Sequence, residues 1–221
     1  MVPRGVTLSG IVAALVLSSC GGGSHKTATS GASSNATGPP STVALPPGAP
    51  PALRAVFGRV LTAGELAGLT PQGRRVLAIN AASWAHDQEL PPTQTATEAR
   101  RLEHLGFVGA VRERLASATG GPAEGLSIVE QFRSPRAADT ELVAQVKMGK
   151  AHGATAFAVP SIPGARGFGG SSGQTTGYNV AFADGSYYYL VGAGFPSGTP
   201  NAPTQAEVVA AAQHLYRRLH R

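Results

Sequence analysis

Alternating apolar and polar positions in two pairs of segments predict two β-hairpins. Residues 107–115 and 126–133 each alternate as half-buried strands do, and a Gly/Pro-rich turn at 120–125 separates them. Residues 178–183 and 186–191 flank Asp184-Gly185, a dipeptide typical of a two-residue type I′ turn. The pattern therefore predicts antiparallel pairing within each of the two segment pairs.

Three further segments carry apolar residues at helical spacing, and each has a start signal. Thr95-Ala96-Thr97-Glu98 has the spacing of a capping box and predicts a helix that ends at Gly106. Ser134-Pro135 predicts a helix to about Gly149, and Thr204 to Glu207 opens a third near the carboxyl terminus. With a short strand at 155–159, this order predicts an α+β domain. We expect an antiparallel sheet built from two hairpins, with helices packed on one face.

The amino terminus has a different pattern. Arg4 precedes an apolar run from Val6 to Leu17, which is far shorter than the ~20 residues that cross a bilayer as a helix. Its proportions are those of a secretory signal, and Cys20, the only cysteine of the chain, follows directly. A lone cysteine in an exported chain has no disulfide partner.

Leu17-Ser18-Ser19-Cys20 resembles the lipobox of bacterial lipoprotein precursors. The resemblance implies that residues 1–19 are a signal peptide and that the Cys20 sulfur carries acyl chains of the palmitate type. Two acyl chains supply the two signals that stable anchoring needs. The expected location is extracytoplasmic, on the outer face of the cytoplasmic membrane. The alternatives are an ordinary secreted protein with a coincidental cysteine, or an uncleaved membrane helix.

Residues 20–51 are rich in Gly, Ser and Pro and lack aromatic residues, so they predict a disordered, flexible tether. Residues 52–221 have the size and apolar content of a single globular domain. An exported, tethered domain with this order of elements resembles envelope lipoproteins of actinobacteria, some of which have a PsbP-like α/β sandwich. The resemblance rests on architecture and composition, and it implies no functional residues.

The number and distribution of charged residues limit the classes of partner that the chain is expected to bind. Eighteen Lys and Arg stand against twelve Asp and Glu, which gives a formal charge of +6. The basic residues occur in scattered pairs such as Arg74-Arg75 and Arg217-Arg218, whereas nucleic-acid binding needs a concentrated basic stripe. We therefore expect no nucleic-acid partner. Attraction to anionic lipid head groups and an ordinary solvated surface both stay open.

Candidate chemistry is sparse. Residues 169–173 match the Gly-x-Ser-x-Gly pattern around Ser171, but a nucleophile elbow needs a strand before the serine and a helix after it. We expect a flexible glycine-rich loop there instead. The six histidines show no metal-ligand spacing, and no cofactor fingerprint occurs. The sequence thus predicts no catalytic residue, metal or cofactor, and a protein that is not an enzyme. The alternative is a cell-envelope serine hydrolase that uses Ser171.

The aromatic cluster of the second hairpin is the remaining functional candidate, and it consists of Tyr178, Tyr187, Tyr188 and Tyr189. On a strand, Tyr187 and Tyr189 point to one face and Tyr188 to the other. Cross-strand packing in the core is one interpretation, and a tyrosine-lined groove for a glycan or peptide is the other. The predicted function is a membrane-anchored binding or interaction module of the cell envelope, with a lipid, a glycan or a protein as its partner.

Overall fold

The computed structural model describes residue 45 and residues 48–88 and 90–221. The predicted signal peptide, Cys20 and most of the predicted tether lie outside the described residues. Five helices are described: α1 Pro51–Phe57, α2 Ala81–Asp87, α3 Pro92–Leu105, α4 Pro135–Ala151 and α5 Gln205–Leu219. The strands are β1 Leu69–Ala78, β2 Phe107–Ser117, β3 Glu124–Phe132, β4 Thr155–Phe157, β5 Arg166–Ser172, β6 Thr175–Asp184 and β7 Tyr187–Pro196.

All seven strands form one antiparallel sheet in the order β1-β2-β3-β7-β6-β5-β4. The predicted α+β class and both predicted hairpins, β2-β3 and β6-β7, are confirmed. The turn of the second hairpin differs from the prediction, because Asp184 pairs with Tyr187 and the loop is Gly185-Ser186. Only Gly185 has a positive φ, of 55°, which is the pattern of a type II′ turn.

The prediction that helices pack on one face is wrong, because both faces of the sheet carry a hydrophobic core. Helices α1 and α5 cover one face, called here the α5 face, over side chains such as Val129 and Tyr189. Helices α2, α3 and α4 cover the other, the α4 face, over Ile128 and Leu190. The central strands β3 and β7 have apolar residues at odd and even positions alike, so each face needs a cover.

The predicted helix starts are confirmed for α4 and α5, and the predicted start of α3 is wrong. Ser134 Oγ accepts from the Ala137 N–H at the start of α4, and Thr204 forms the predicted capping box with Glu207. Helix α3 begins at Pro92 rather than near Thr95. Proline suits the first turn of a helix because it has no N–H to leave unbonded. The Thr95 hydroxyl instead donates to carbonyls in the turn before it.

The segment around the Gly-x-Ser-x-Gly pattern is a strand and not the expected loop. Residues 166–172 form β5, which pairs along its length with β6. The predicted strand at 155–159 is present as the three-residue β4, which pairs with β5 near this edge of the sheet. Backbone pairing with β6 explains why so many glycines are compatible with a regular strand here.

Candidate functional site

Three glycines lie side by side across neighbouring strands. Gly170 of β5 pairs with Gly177 of β6, which pairs in turn with Gly194 of β7. Directly paired residues present the same face of a sheet, and the alternation along β6 puts these three on the α4 face with Ala181. A Cβ at Gly170 would have no heavy atom within 4 Å. The row is therefore a floor of bare backbone, open on one side.

The last turn of α4 forms a wall beside this glycine row. Gly149 lies so close to the sheet that a Cβ there would be 2.7 Å from the Phe168 ring, which fixes the end of the helix against β5. A cleft of about 80 Å³ opens next to it. His152 and Phe168 line one part of the cleft, and the polar side chains of Ser172, Thr175 and Asn179 line the rest.

Ser171 lies at this cleft but is held as an ordinary strand residue. Its hydroxyl is 2.8 Å from the Thr176 Oγ1 on the paired strand; Ser171 is exposed and Thr176 is half-buried. His152 lines the same cleft, whereas none of the residues that line it is a carboxylate. A serine triad needs an acid to orient its histidine, and the described lining does not supply one.

A cluster of buried polar groups lies elsewhere on the same face. Glu130 of β3 is 3% exposed, and its Oε1 accepts from the Trp84 Nε1–H of α2 at 2.7 Å. Tyr188 of β7 pairs with Glu130 and is 1% exposed. The Glu130 Oε2 and the Tyr188 hydroxyl have no hydrogen-bond partner among the described residues. Both residues line a cavity of about 10 Å³, which suits about one water molecule.

The charges around this cluster explain the titration of Glu130. Burial and the nearby Glu141 carboxylate raise its pKa well above the usual value, although the Trp84 hydrogen bond and the Arg101 charge oppose them. Glu141 is fully buried and is bound by Arg101, which also binds Glu98 through two nitrogens. Burial, together with the Glu130 and Glu141 carboxylates, likewise raises the pKa of Tyr188. Glu130 therefore binds its proton more tightly in the folded protein than an exposed glutamate does.

The four tyrosines of the predicted groove do not form one surface. Tyr188 faces the buried cluster just described, and Tyr189 packs in the core of the α5 face, stacked on Phe182 at 4.7 Å. The Tyr189 hydroxyl accepts from Arg59 at 2.6 Å, and the Arg59 guanidinium lies 4.1 Å from the centre of the Tyr187 ring. Burial raises the pKa of Tyr189 to about 12 against the opposing effect of Arg59.

Tyr178, the fourth member, packs between two other rings on the α5 face. Its ring centre is 6.4 Å from that of Phe157 and 6.2 Å from that of Phe195. Tyr178 and Tyr187 keep part of their surface exposed. Core packing thus accounts for most of the aromatic contacts, and ligand binding by the tyrosines stays a prediction.

The buried Glu130 had a signal in the sequence. It stands in an alternating strand between Ile128 and Phe132, at a position where the pattern calls for an apolar side chain. The glycine row had no signal in the sequence, because its three members come from three strands and only the register of the sheet brings them together. Within the described residues, no three His, Cys, Asp or Glu side chains are placed to hold a metal. No described helix is long and apolar enough to span a membrane.

Comparisons with known proteins find a likeness among solved structures but none among families or curated sequences. A scan against protein families finds no match, and a sequence search of curated proteins finds none either. Among solved structures, the chain is similar to the extracellular domain of PknH from Mycobacterium tuberculosis. The identity is 9% and the TM-score is 0.48, over 75% of this chain and 96% of that domain.

Proposed function

We propose that this protein is a lipoprotein anchored at the outer face of the cytoplasmic membrane, whose domain binds a ligand in the cleft over the glycine row. The observation that carries the binding role is the cleft itself. Backbone of three strands forms its floor, and hydroxyl and amide groups line its side, with no carboxylate among the lining residues. These features suit recognition rather than bond cleavage.

The lining also indicates the chemistry of the ligand. Its polar groups on the α4 face are the neutral side chains Ser172, Thr175 and Asn179, and His152 is the ionisable residue of the lining. Hydroxyl and amide groups both donate and accept hydrogen bonds, so they match a ligand that itself carries hydroxyl groups. A bare backbone floor lets a ring approach closely. Of the expected partners, we therefore propose a neutral glycan, bound through one sugar unit.

Binding would be measured by calorimetry with soluble cell-wall glycan fragments as the probe. The variant Ser172→Ala/Thr175→Val removes two hydroxyls from the cleft, and we expect it to weaken binding at least tenfold. Thr70→Val is the matched control, because Thr70 is an exposed threonine on β1 at the other edge of the sheet. Equal affinity of both variants and the native chain, or no binding by the native chain, would contradict the proposed ligand.

The anchor is proposed from Cys20 and the lipobox pattern before it. We expect Cys20→Ala to leave an uncleaved or mislocalised precursor, since this residue alone carries the acyl chains. Detergent phase partitioning with mass spectrometry of the mature chain tests this. A Cys20→Ala variant that matures and partitions like the native protein would rule out the lipid anchor.

A serine hydrolase is the second candidate, because Ser171 and His152 line the same cleft. We propose that the protein is not an enzyme. A nucleophile has to be held on a rigid elbow and oriented by a base, whereas the Ser171 hydroxyl lies within hydrogen-bond distance of Thr176 at the exposed end of β5. We expect no labelling by a fluorophosphonate probe. Stoichiometric labelling that is lost in Ser171→Ala would favour the hydrolase.

A further inference from the structure

The outer side of α4 carries an unusually exposed apolar residue. Val143 is 66% exposed, and with Ile79 it makes up the exposed large apolar side chains of the described chain. Ile79 follows β1 at one edge of the sheet, whereas Val143 lies on the helix that covers the α4 face. Val143 is therefore the most exposed large apolar side chain among the described residues.

Val143 borders a groove of about 340 Å³ between α4 and the start of β5. Three apolar and three basic residues line the groove: Leu142, Val143, Val146, Lys147, Lys150 and Arg166. None of them is acidic, so the groove combines an apolar floor with a cationic rim.

The cations of this rim are available to an outside partner. Lys147 and Lys150 are exposed, and among the described residues neither they nor Arg166 form an ion pair. Arg136 lies on the same stripe of α4, seven residues before Val143. Asp139 is the one carboxylate on that stripe, because Glu141 is fully buried and bound by Arg101. The surface is therefore net positive.

We propose that this α4 surface docks on an anionic lipid bilayer. Lysine and arginine near a membrane are attracted to anionic head groups, within a Debye length of ~10 Å at 0.1 M salt. Val143 enters the head-group region and the basic side chains surround it, the combination by which amphipathic helices lie on membranes. This contact goes beyond the proposed anchor. It orients the domain, with the α4 surface towards the membrane.

Any tether to the same membrane raises the effective concentration of this surface there. A weak affinity of the α4 surface for the bilayer is therefore enough to orient the domain. A patch with only a few cations is consistent with such a weak affinity. The docking itself needs no acylated residue, so it can be tested apart from the anchor.

The experiment uses the full chain with Cys20→Ala, which removes the acylation site and leaves a single thiol in Val143→Cys. An environment-sensitive fluorophore on that thiol is mixed with vesicles that contain phosphatidylglycerol, or with vesicles of phosphatidylcholine alone. We expect a blue shift with the anionic vesicles that disappears at high salt. The Lys147→Glu/Lys150→Glu variant should bind anionic vesicles at least tenfold more weakly.

Two controls keep the result specific. The fluorophore on Ile79→Cys in the same background should not respond, since Ile79 lies outside the α4 surface. Arg217→Glu/Arg221→Glu makes the same change of charge at the end of α5 and just after it, on the helix that covers the opposite face, and should leave the response intact. A Val143 probe that is silent, that responds equally to both vesicles, or that is unaffected by reversal of the lysines would overturn the proposal. Circular dichroism confirms that each variant is folded.

Discussion

Glu130 is a carboxyl group that the fold encloses between Trp84 and Tyr188, and its titration has a consequence for stability. An unfolded Glu has a pKa of ~4.3, whereas burial and Glu141 raise the pKa of Glu130 in the folded protein. At a pH between the unfolded and the folded pKa, the folded protein binds more protons at Glu130 than the unfolded chain does. Stability due to Glu130 is therefore greatest at acidic pH and falls as the pH rises above ~4.3 towards the folded pKa.

Glu130→Gln removes this titration and keeps an oxygen for the Trp84 indole. We expect a higher melting temperature than the native protein at pH 7 and a smaller difference near pH 4, measured by circular dichroism. Glu124→Gln is the matched control, because Glu124 is partly exposed on the same strand and the same face. A pH-independent difference would contradict protonation of Glu130 as the cause.

Arg218 is the second residue with a clear role in stability. Its guanidinium donates to both carboxylate oxygens of Glu65 at 2.9 and 3.1 Å, and to the carbonyls of Gly58 and Val60. These bonds tie α5 to the segment after α1. Burial of Glu65 opposes ionisation, but the bonds from Arg218 and from the Thr62 N–H outweigh it and lower the pKa of Glu65.

Arg218→Gln should therefore cost about 1–2 kcal/mol at pH 7, towards the lower end for charged hydrogen bonds because Arg218 is one-third exposed. A lowered carboxyl pKa stabilises the fold above the unfolded value of ~4.3 and ceases to do so as the pH falls through the folded pKa. We therefore expect the loss of unfolding free energy in Arg218→Gln to be smaller at acidic pH than at pH 7. Urea unfolding at several pH values tests this, with Arg217→Gln as the exposed neighbouring control.

At the scale of the element, α5 depends on its first turn. Thr204 Oγ1 accepts from the Glu207 N–H, and the Glu207 carboxylate accepts from the Thr204 N–H at 2.7 Å. Loss of an N-cap oxygen costs ~1 kcal/mol. We expect Thr204→Ala to lower the melting temperature by ~2–4 °C, as a domain of this size responds to such a change. Thr204→Ser keeps the oxygen and should melt like the native protein.

The elements differ in how far the sequence could predict them. Alternation identified β2, β3, β6 and β7, and Ser134 and Thr204 marked two helix starts, because these signals act through neighbours in the chain. Coverage of both faces was missed, since it follows from the apolar residues on both sides of β3 and β7 rather than from any single helix. Strand β5 was missed for a similar reason. Its glycines have no strand preference, and its pairing with β6 sets its conformation.

The candidate site likewise combines features that the sequence could predict with features that depend on the assembled sheet. Ser171 could be found as a motif, but its role could not be judged until the register placed it opposite Thr176. The glycine row exists only in the assembled sheet. Tyr187, Tyr188 and Tyr189 are adjacent in the sequence, yet the two-residue period of a strand directs Tyr188 to one core and its two neighbours to the other.

At the scale of the whole molecule, both cores draw their described members from residue 45 onward. Ala49 is buried, and its carbonyl accepts from the Arg54 Nε–H, so the packed part begins slightly before the predicted boundary at residue 52. We expect a fragment of residues 45–221 to melt cooperatively. A fragment of residues 52–221 should also fold but melt at a lower temperature. An aggregated or molten fragment 45–221, beside a well-behaved full chain, would contradict this.

The pairing of β3 with β7 joins the two halves of the sheet, and the whole of β4, β5 and β6 lies between them in the chain. A chain that emerges amino terminus first, from a ribosome or a translocation pore, completes β1, β2 and β3 early. The far edge of β3 then stays open, with apolar side chains on both sides, until residue 196 is free. Open edges of this kind recruit strands from neighbouring molecules. We therefore expect that, during synthesis, a chaperone or dilution protects an edge that the finished fold conceals completely.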